Sequence, residues 1–182
     1  MVKLMKNRIR TMIFWLLFLG TLGTIIFLSL GIFHPPVAMA AIRQLEETPG
    51  QMVYQSRQNL KDQQGNTWQA IAFKRTSLDH KTRFYLRLVG FPGVTKIDRT
   101  QPITLTNSLG KSFTASDASQ DIFAESNSPE SNVGQYDIES LLLQLSVEIP
   151  WELTLPTITG EAVNLSISPT LIQEWQTLAQ QS

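Results

Sequence analysis

From Met12 to Phe33 the chain runs 22 residues without a charged side chain, and no other feature limits its architecture as firmly. Lys3, Lys6, Arg8 and Arg10 precede this run with no acidic residue among them, and His34-Pro35-Pro36-Val37-Ala38-Met39-Ala40 follows it. A basic flank, an apolar core and a small-x-small site make an export signal, and Ala38-Met39-Ala40 predicts cleavage between Ala40 and Ala41. Pro35 and Pro36 break any helix there and leave an extended stretch for a peptidase. The core exceeds the roughly 7–15 residues of a typical signal and reaches the roughly 20 that span a bilayer. An uncleaved anchor is therefore the alternative. In both readings the basic flank stays in the cytoplasm and the rest of the chain lies outside. With no cysteine in the sequence a lipidated N-terminus is excluded, and the separation of Arg8 from Arg10 argues against a twin-arginine signal.

Removing residues 1–40 as a signal peptide leaves residues 41–182, enough for one domain around one core. Net charge over the whole chain is zero, but all 15 acidic residues lie beyond Ala40 while four basic ones precede it, so this domain carries about −4. That balance argues against nucleic acid as a partner and against an anionic membrane surface. Membrane contact is expected only through the N-terminal segment, and only if it is uncleaved. Without disulfides, stability must come from packing.

Beyond residues 41–50, which read as a leader and turn, the pattern is mostly that of strands. Thr67 to Arg75 places Trp68, Ala70 and Ala72 on one face and Ile71 and Phe73 on the other, as a strand covered on both sides would. Phe84, Leu86 and Leu88 alternate with Arg83, Tyr85 and Arg87. Trp151-Leu153-Leu155 and Val163-Leu165-Ile167 read as a hairpin turning at Thr159-Gly160. Residues from about 115 to 135 are rich in Ser, Asn, Asp, Glu and Pro and predict a long polar surface loop, pinned by Ile122 and Phe123. Ile138, Leu141, Leu142 and Leu145 recur at helical spacing behind Asp137 as N-cap. Ser168-Pro169 starts a last helix, with Leu171, Ile172, Trp175 and Leu178 along one face; such a stripe is core before it is a docking surface. The expected fold is mainly β (α+β): an antiparallel curved sheet or small β-barrel with two short helices, the last at the C-terminus. The runner-up is a two-sheet sandwich.

Candidate chemistry is sparse. His80, the single histidine beyond Ala40, falls in a predicted turn beside Asp79 and Lys81, with no partner to orient it as a base. Asp117, Asp121 and Glu125 lack the spacing and glycine of a calcium loop, and Glu148, Glu152 and Glu161 read as a solvated sheet face rather than a paired acid and base. Asn164-Leu165-Ser166 fits a glycosylation acceptor, a pattern common by chance. No cofactor is expected. The one surface with binding character is Arg83, Tyr85 and Arg87 along one strand face, continued by Phe91 and Arg99, where two arginines flanking a tyrosine suit an acidic partner segment.

Tyr54-Gln55-Ser56-Arg57, Gly65 to Phe73, Phe84 to Gly93, Gly134-Gln135-Tyr136-Asp137 and Leu171 to Gln176 together resemble a family of exported cyanobacterial domains of unknown function. The resemblance runs over nearly all of the chain beyond Ala40. It implies a periplasmic or thylakoid-lumen location and brings no catalytic residues. The expectation is a non-catalytic accessory or interaction protein, with a membrane protein complex as its partner. The alternatives are a carrier of a small lipid or pigment in an apolar cavity and, last, a hydrolase built on His80 or an acid pair.

Overall fold

The computed structural model describes residues 8, 12–23, 43–48, 51–76, 82–93, 95–122 and 130–181. The chain divides into two compact units, Met1–Met39 and Ala40–Ser182. In the first, residues 12–23 form helix α1, and its large apolar side chains, Trp15 and Phe18 among them, are exposed. The Thr21 hydroxyl donates back to the carbonyls of Leu17 and Phe18, at 3.1 and 2.9 Å, which satisfies it within the helix. Among the described residues no helix is long and apolar enough to cross a membrane. Pro35, Pro36 and the Ala40–Ala41 junction lie outside the described residues.

The second unit is mainly β. Strands β1 (Arg43–Thr48), β2 (Gln51–Lys61), β3 (Thr67–Thr76), β4 (Thr82–Val89) and β7 (Val133–Asp137) form one sheet in the order β1-β2-β3-β4-β7. Strands β5 (Ile103–Asn107), β6 (Ser112–Ala115), β8 (Trp151–Leu155) and β9 (Val163–Ile167) form the other, in the order β6-β5-β8-β9. Every pairing is antiparallel. A short helix α2 (Glu139–Leu142) follows β7, and α3 (Pro169–Ala179) ends the fold.

Alternation explains the core. Phe84, Leu86 and Leu88 of β4 meet Leu153 of β8, Leu165 of β9 and Trp175 of α3 in one buried cluster to which both sheets and both helices contribute. Three tryptophans, Trp68, Trp151 and Trp175, are each 1% exposed, and side chains of this size dominate a core's apolar area. Helix α3 starts as its sequence predicts: the Ser168 hydroxyl accepts the Leu171 amide at 3.2 Å, with Pro169 in the first turn. Its Leu171-Ile172-Trp175-Leu178 stripe is core.

The expected mainly β fold with a last helix at the C-terminus is present, and of its two expected forms, curved sheet or small barrel, the closed barrel does not form. The two sheets meet along two seams, each a single bridge: Asp117 with Tyr136, and Asp62 with Leu165. At the first, β6 is only four residues long and the chain leaves it for a 3-10 turn, Ser119–Ile122, before a ladder can build. At the second, β1 pairs only with the first half of β2, up to Gln55, so the far end of β2 is open on that side and Leu165 of β9 reaches it.

Three further expectations change. Residues 43–48 are strand β1, not a leader; Gln44, Glu46 and Glu47 give it the polar, charged character of an edge strand, which hides a strand pattern. The polar stretch 115–135 is shorter as a loop, because Ala115 ends β6 and residues from Val133 form β7 on the edge of β4. Asp137 closes β7, and its carboxylate accepts the Glu139 amide at 3.1 Å while Ile138 is the helix N-cap. Helix α2 is only four residues long, and Gln176 of α3 satisfies its end by donating to the carbonyls of Leu142 and Leu145 at 3.0 and 2.9 Å.

Where β4 ends, a Cβ on Gly90 would lie 2.8 Å from the Trp68 indole, so the buried ring rests on bare backbone. Gly90→Ala should destabilise the domain by about 1–3 kcal/mol, the usual range for an overpacked core. Urea unfolding should show a lower midpoint with an unchanged slope.

Candidate functional site

Strand β4 aims Arg83, Tyr85 and Arg87 away from the shared core, but not into open water. Their neighbours across the ladder are Arg75, Phe73 and Ile71 of β3 and, for the latter two, Asp137 and Gln135 of β7. Val53, Ile71, Phe73 and Tyr85 form a second buried cluster on this face, with Val89 and Ala118 against it. The Tyr85 hydroxyl donates to Asp121 at 2.9 Å. Burial first, then the hydrogen bond to Asp121 and its negative charge, push the phenol up to about 12. The Arg87 guanidinium donates twice to the Gln135 side-chain oxygen, at 3.1 and 2.8 Å, and lies 5.0 Å from the centre of the Phe73 ring. Arg83 is half exposed and pairs with Asp137 at 3.5 Å, a weak contact at such exposure.

Residues 117–121 lie over this face rather than looping into solvent. The Ala118 amide donates to Gln135 O at 2.7 Å, the Gln135 amide donates to the Ser119 hydroxyl at 2.9 Å, and Asp117 accepts the hydroxyl and amide of Ser119 at 2.5 and 3.2 Å. The pins are therefore polar; Ile122 is only partly buried, and Phe123 lies outside the described residues.

The remaining two residues of the predicted surface, Phe91 and Arg99, belong to one end of the domain, where four connections are stitched together. Gly90 and Asn132 exchange hydrogen bonds at 2.9 and 2.8 Å. The Ile97 amide donates to Ser131 O at 2.8 Å, the Asp98 amide to Pro156 O at 3.0 Å, and the Ile158 amide to Lys96 O at 2.9 Å. Gln63 donates to Ala162 O at 2.7 Å and accepts the Asn164 amide at 2.8 Å, and Gln64 donates to Glu161 at 3.0 Å. Arg99 donates to Val133 O at 3.1 and 2.6 Å, and also to Glu130 O, so it positions the turn into β7. On this framework Phe91 and Ile158 stand out, 69% and 67% exposed.

Asp62 anchors that end. Its carboxylate accepts the amides of Gln64 and Asn66 at 2.9 and 2.8 Å, the Asn66 side chain at 3.0 Å and the Trp68 indole N–H at 3.1 Å. Burial alone would raise its pKa, but the hydrogen bonds from Asn66, Trp68 and the two amides outweigh it and hold the carboxyl below the ordinary aspartate value.

His80 and Glu125 lie outside the described residues. Asp117 and Asp121 serve Ser119 and Tyr85; among the described residues no three His, Cys, Asp or Glu side chains converge to hold a metal ion. Glu152 stands opposite Ser166 within the β8–β9 hairpin, while Glu161 sits in its turn beyond Val163. Asn164 is inside β9, half-buried, with its side-chain oxygen covered. Ile158 and Asn132 escaped the sequence reading. An isoleucine between Pro156 and Gly160, in the turn of a hairpin, was the available signal for the first; Asn132 had none.

A family profile described as a protein of unknown function, DUF3122, matches residues 40–178. The chain belongs to this family. The match takes in both sheets and most of α3 and begins where the second compact unit begins. Comparison with curated proteins and with solved structures gives no match.

Two outcomes test the polar anchors of this family member. Asp62→Ala strands four donors, one of them the indole of a fully buried tryptophan, and should cost about 1–3 kcal/mol in urea unfolding. Because the folded pKa of Asp62 is lowered, its contribution is present above the unfolded value near 4 and is lost as pH falls through the folded one. The variant should therefore lose less stability than the parent on acidification. For Tyr85 the folded pKa is raised, so its contribution is full below about 10 and disappears as pH rises through about 12. A difference titration at 295 nm between the parent and Tyr85→Phe should show a phenolate appearing near pH 12.

Proposed function

We propose that this chain is an exported, non-catalytic accessory protein that holds a partner at the stitched loop end of its β domain. The observation that carries the reading is the pairing of rigidity with exposure: four connections are cross-linked by backbone and side-chain hydrogen bonds, yet they present Phe91 and Ile158 to solvent. Loops held in place lose little entropy on binding, and exposed apolar anchors on a polar frame are where binding energy concentrates. Of the residues singled out in the sequence, Phe91 is the contact in this reading and Arg99 the positioning residue. Arg83, half exposed, is a peripheral charge, and Tyr85 and Arg87 brace the sheet.

The basic flank, the apolar segment and Ala38-Met39-Ala40 support export, with cleavage after Ala40 or retention as an anchor. The resemblance to exported cyanobacterial domains favours the periplasm or thylakoid lumen and a membrane protein complex as partner. A small-ligand carrier needs apolar faces turned to a cavity, whereas here those faces pack on one another around Trp68, Trp151 and Trp175.

Affinity capture from the membranes of the source organism, using the full chain tagged at its C-terminus, tests the reading. One membrane complex should be recovered in stoichiometric amount. Phe91→Ser combined with Ile158→Ser should weaken its capture by about tenfold or more while leaving stability within about 0.5 kcal/mol. Capture that ignores both substitutions, or a chain recovered alone and heavier by a small-molecule mass, would reject the loop end as the binding surface. The same spectra show whether the chain begins at Ala41.

A further inference from the structure

The outer face of the four-stranded sheet is almost free of charge. The registers place Ser112, Thr106, Glu152 and Ser166 in one row across β6, β5, β8 and β9, and Thr114, Thr104, Thr154 and Asn164 in the next. Adjacent positions in a row are about 4.8 Å apart. Seven of the eight side chains are short, polar and uncharged; the eighth is Glu152. Solvated sheet faces commonly set opposite charges across the ladder, but the cross-strand neighbours of Glu152 are Thr106 and Ser166. Glu152 is exposed, and among the described residues no ion pair engages it.

This carboxylate borders a groove of about 330 Å³ lined by Thr106, Asn107, Ser108, Pro150, Trp151, Glu152 and Ser166. The groove lies where β8 begins, and the stitched loops lie beyond where β8 ends, so the two surfaces are at opposite ends of this sheet. Its chemistry is one negative charge, flanked on both sides by hydroxyls, that of Thr106 already 3.1 Å from the Ser112 hydroxyl, with Pro150 and Trp151 as apolar walls. The lining residues include no cation; Lys111, in the adjoining turn, holds its ammonium 4.8 Å from the centre of the Phe113 ring. Asn107 keeps its side-chain oxygen on the amides of Leu109 and Lys111, at 3.0 and 2.9 Å, which fixes the rim. Leu109, at the tip of that turn, is 81% exposed.

We infer that this groove receives a basic side chain of a partner protein, an arginine before a lysine. A guanidinium offers two parallel donors to the Glu152 carboxylate and further donors to the Thr106 and Ser166 hydroxyls, while its aliphatic stem lies along Pro150. The net charge of about −4 beyond Ala40 favours the approach of a basic segment over an acidic one. The site does not depend on the loop-end reading, since the two surfaces share no residue.

The test is a titration of the isotope-labelled full chain, in detergent micelles, with N-acetylarginine amide, followed by amide chemical shifts. N-acetylcitrulline amide, the neutral counterpart of the same shape, is the control. Saturable shifts should centre on Thr106, Ser108, Glu152 and Ser166. Affinity should fall about tenfold with the citrulline probe and in Glu152→Gln, the size expected for a hydrogen bond that loses its charge. Phe91→Ser should leave the titration unchanged. Glu152 is exposed, so its substitution leaves the fold intact; spectra superimposable elsewhere will show it. Shifts spread over acidic residues at large, equal affinity for citrulline, full binding by Glu152→Gln, or a stronger response to a neutral disaccharide would each overturn the inference.

Discussion

Two sheets that share one core without closing on each other must seal it along two seams, and the rest of this domain follows from how that is done. At each seam a single bridge stands where a barrel would have a ladder, so side chains complete the seal. Asp62 gathers the β2–β3 turn around its carboxylate, and Gln63 and Gln64 reach across to the β8–β9 hairpin. Asp117 and Ser119 bind the other seam to Gln135. Most of these are neutral or charge-assisted hydrogen bonds in partly buried places, where leaving one unmade costs more than making it contributes. The polar residues at the seams are therefore as structural as the leucines between them.

Strand β4 is covered on both faces in the same way. Alternation placed Arg83, Tyr85 and Arg87 opposite the core, and they are opposite the core. What alternation cannot show is that a sheet face turned away from one core can carry a second, smaller one. Phe73 and Ile71 on the neighbouring strand supply its apolar ground, and Arg87 lies over Phe73 while its donors go to Gln135. Ala118 and Asp121 then come down on Tyr85 from a stretch whose composition reads as loop. The double covering of β3 was legible because apolar residues occur on both of its faces.

What could be read from the chain divides along physical lines. Strands β4, β8 and β9 and helix α3 combine apolar periodicity with a strong start or stop, and these are the elements whose pattern and packing coincide. Strands β1 and β7 are held by backbone pairing at the edge of a sheet, where side-chain pattern is weakest. Gly134 illustrates the difficulty: it lowers the strand signal, yet a Cβ there would lie 2.8 Å from the Tyr136 hydroxyl, so the absent side chain is what lets the tyrosine fold back over its own strand. Closure into a barrel or division into two sheets turned on the length of β6 and on where β1 stops, and neither is encoded as a local preference. Of the loop end, the sequence singled out Phe91 and Arg99; Ile158 joins them through a backbone hydrogen bond between distant connections.

These constraints leave the ends of the domain and the outer face of the second sheet as the surfaces proposed for binding. Among the described residues, the inward faces of β3, β4, β5, β8 and β9 are engaged in the shared core. The outer face of the first sheet is engaged with its own cluster and the segment lying over it. Among the described surfaces left open are the loop end, held in place as a by-product of sealing one seam, and the Ser/Thr face around Glu152. A substitution that loosens the seam, such as one at Asp62, would therefore disturb the loop end through the fold, whereas one at Phe91 or Glu152 acts on its surface alone. That difference separates a structural role from a binding role in a domain whose polar residues mostly do structural work.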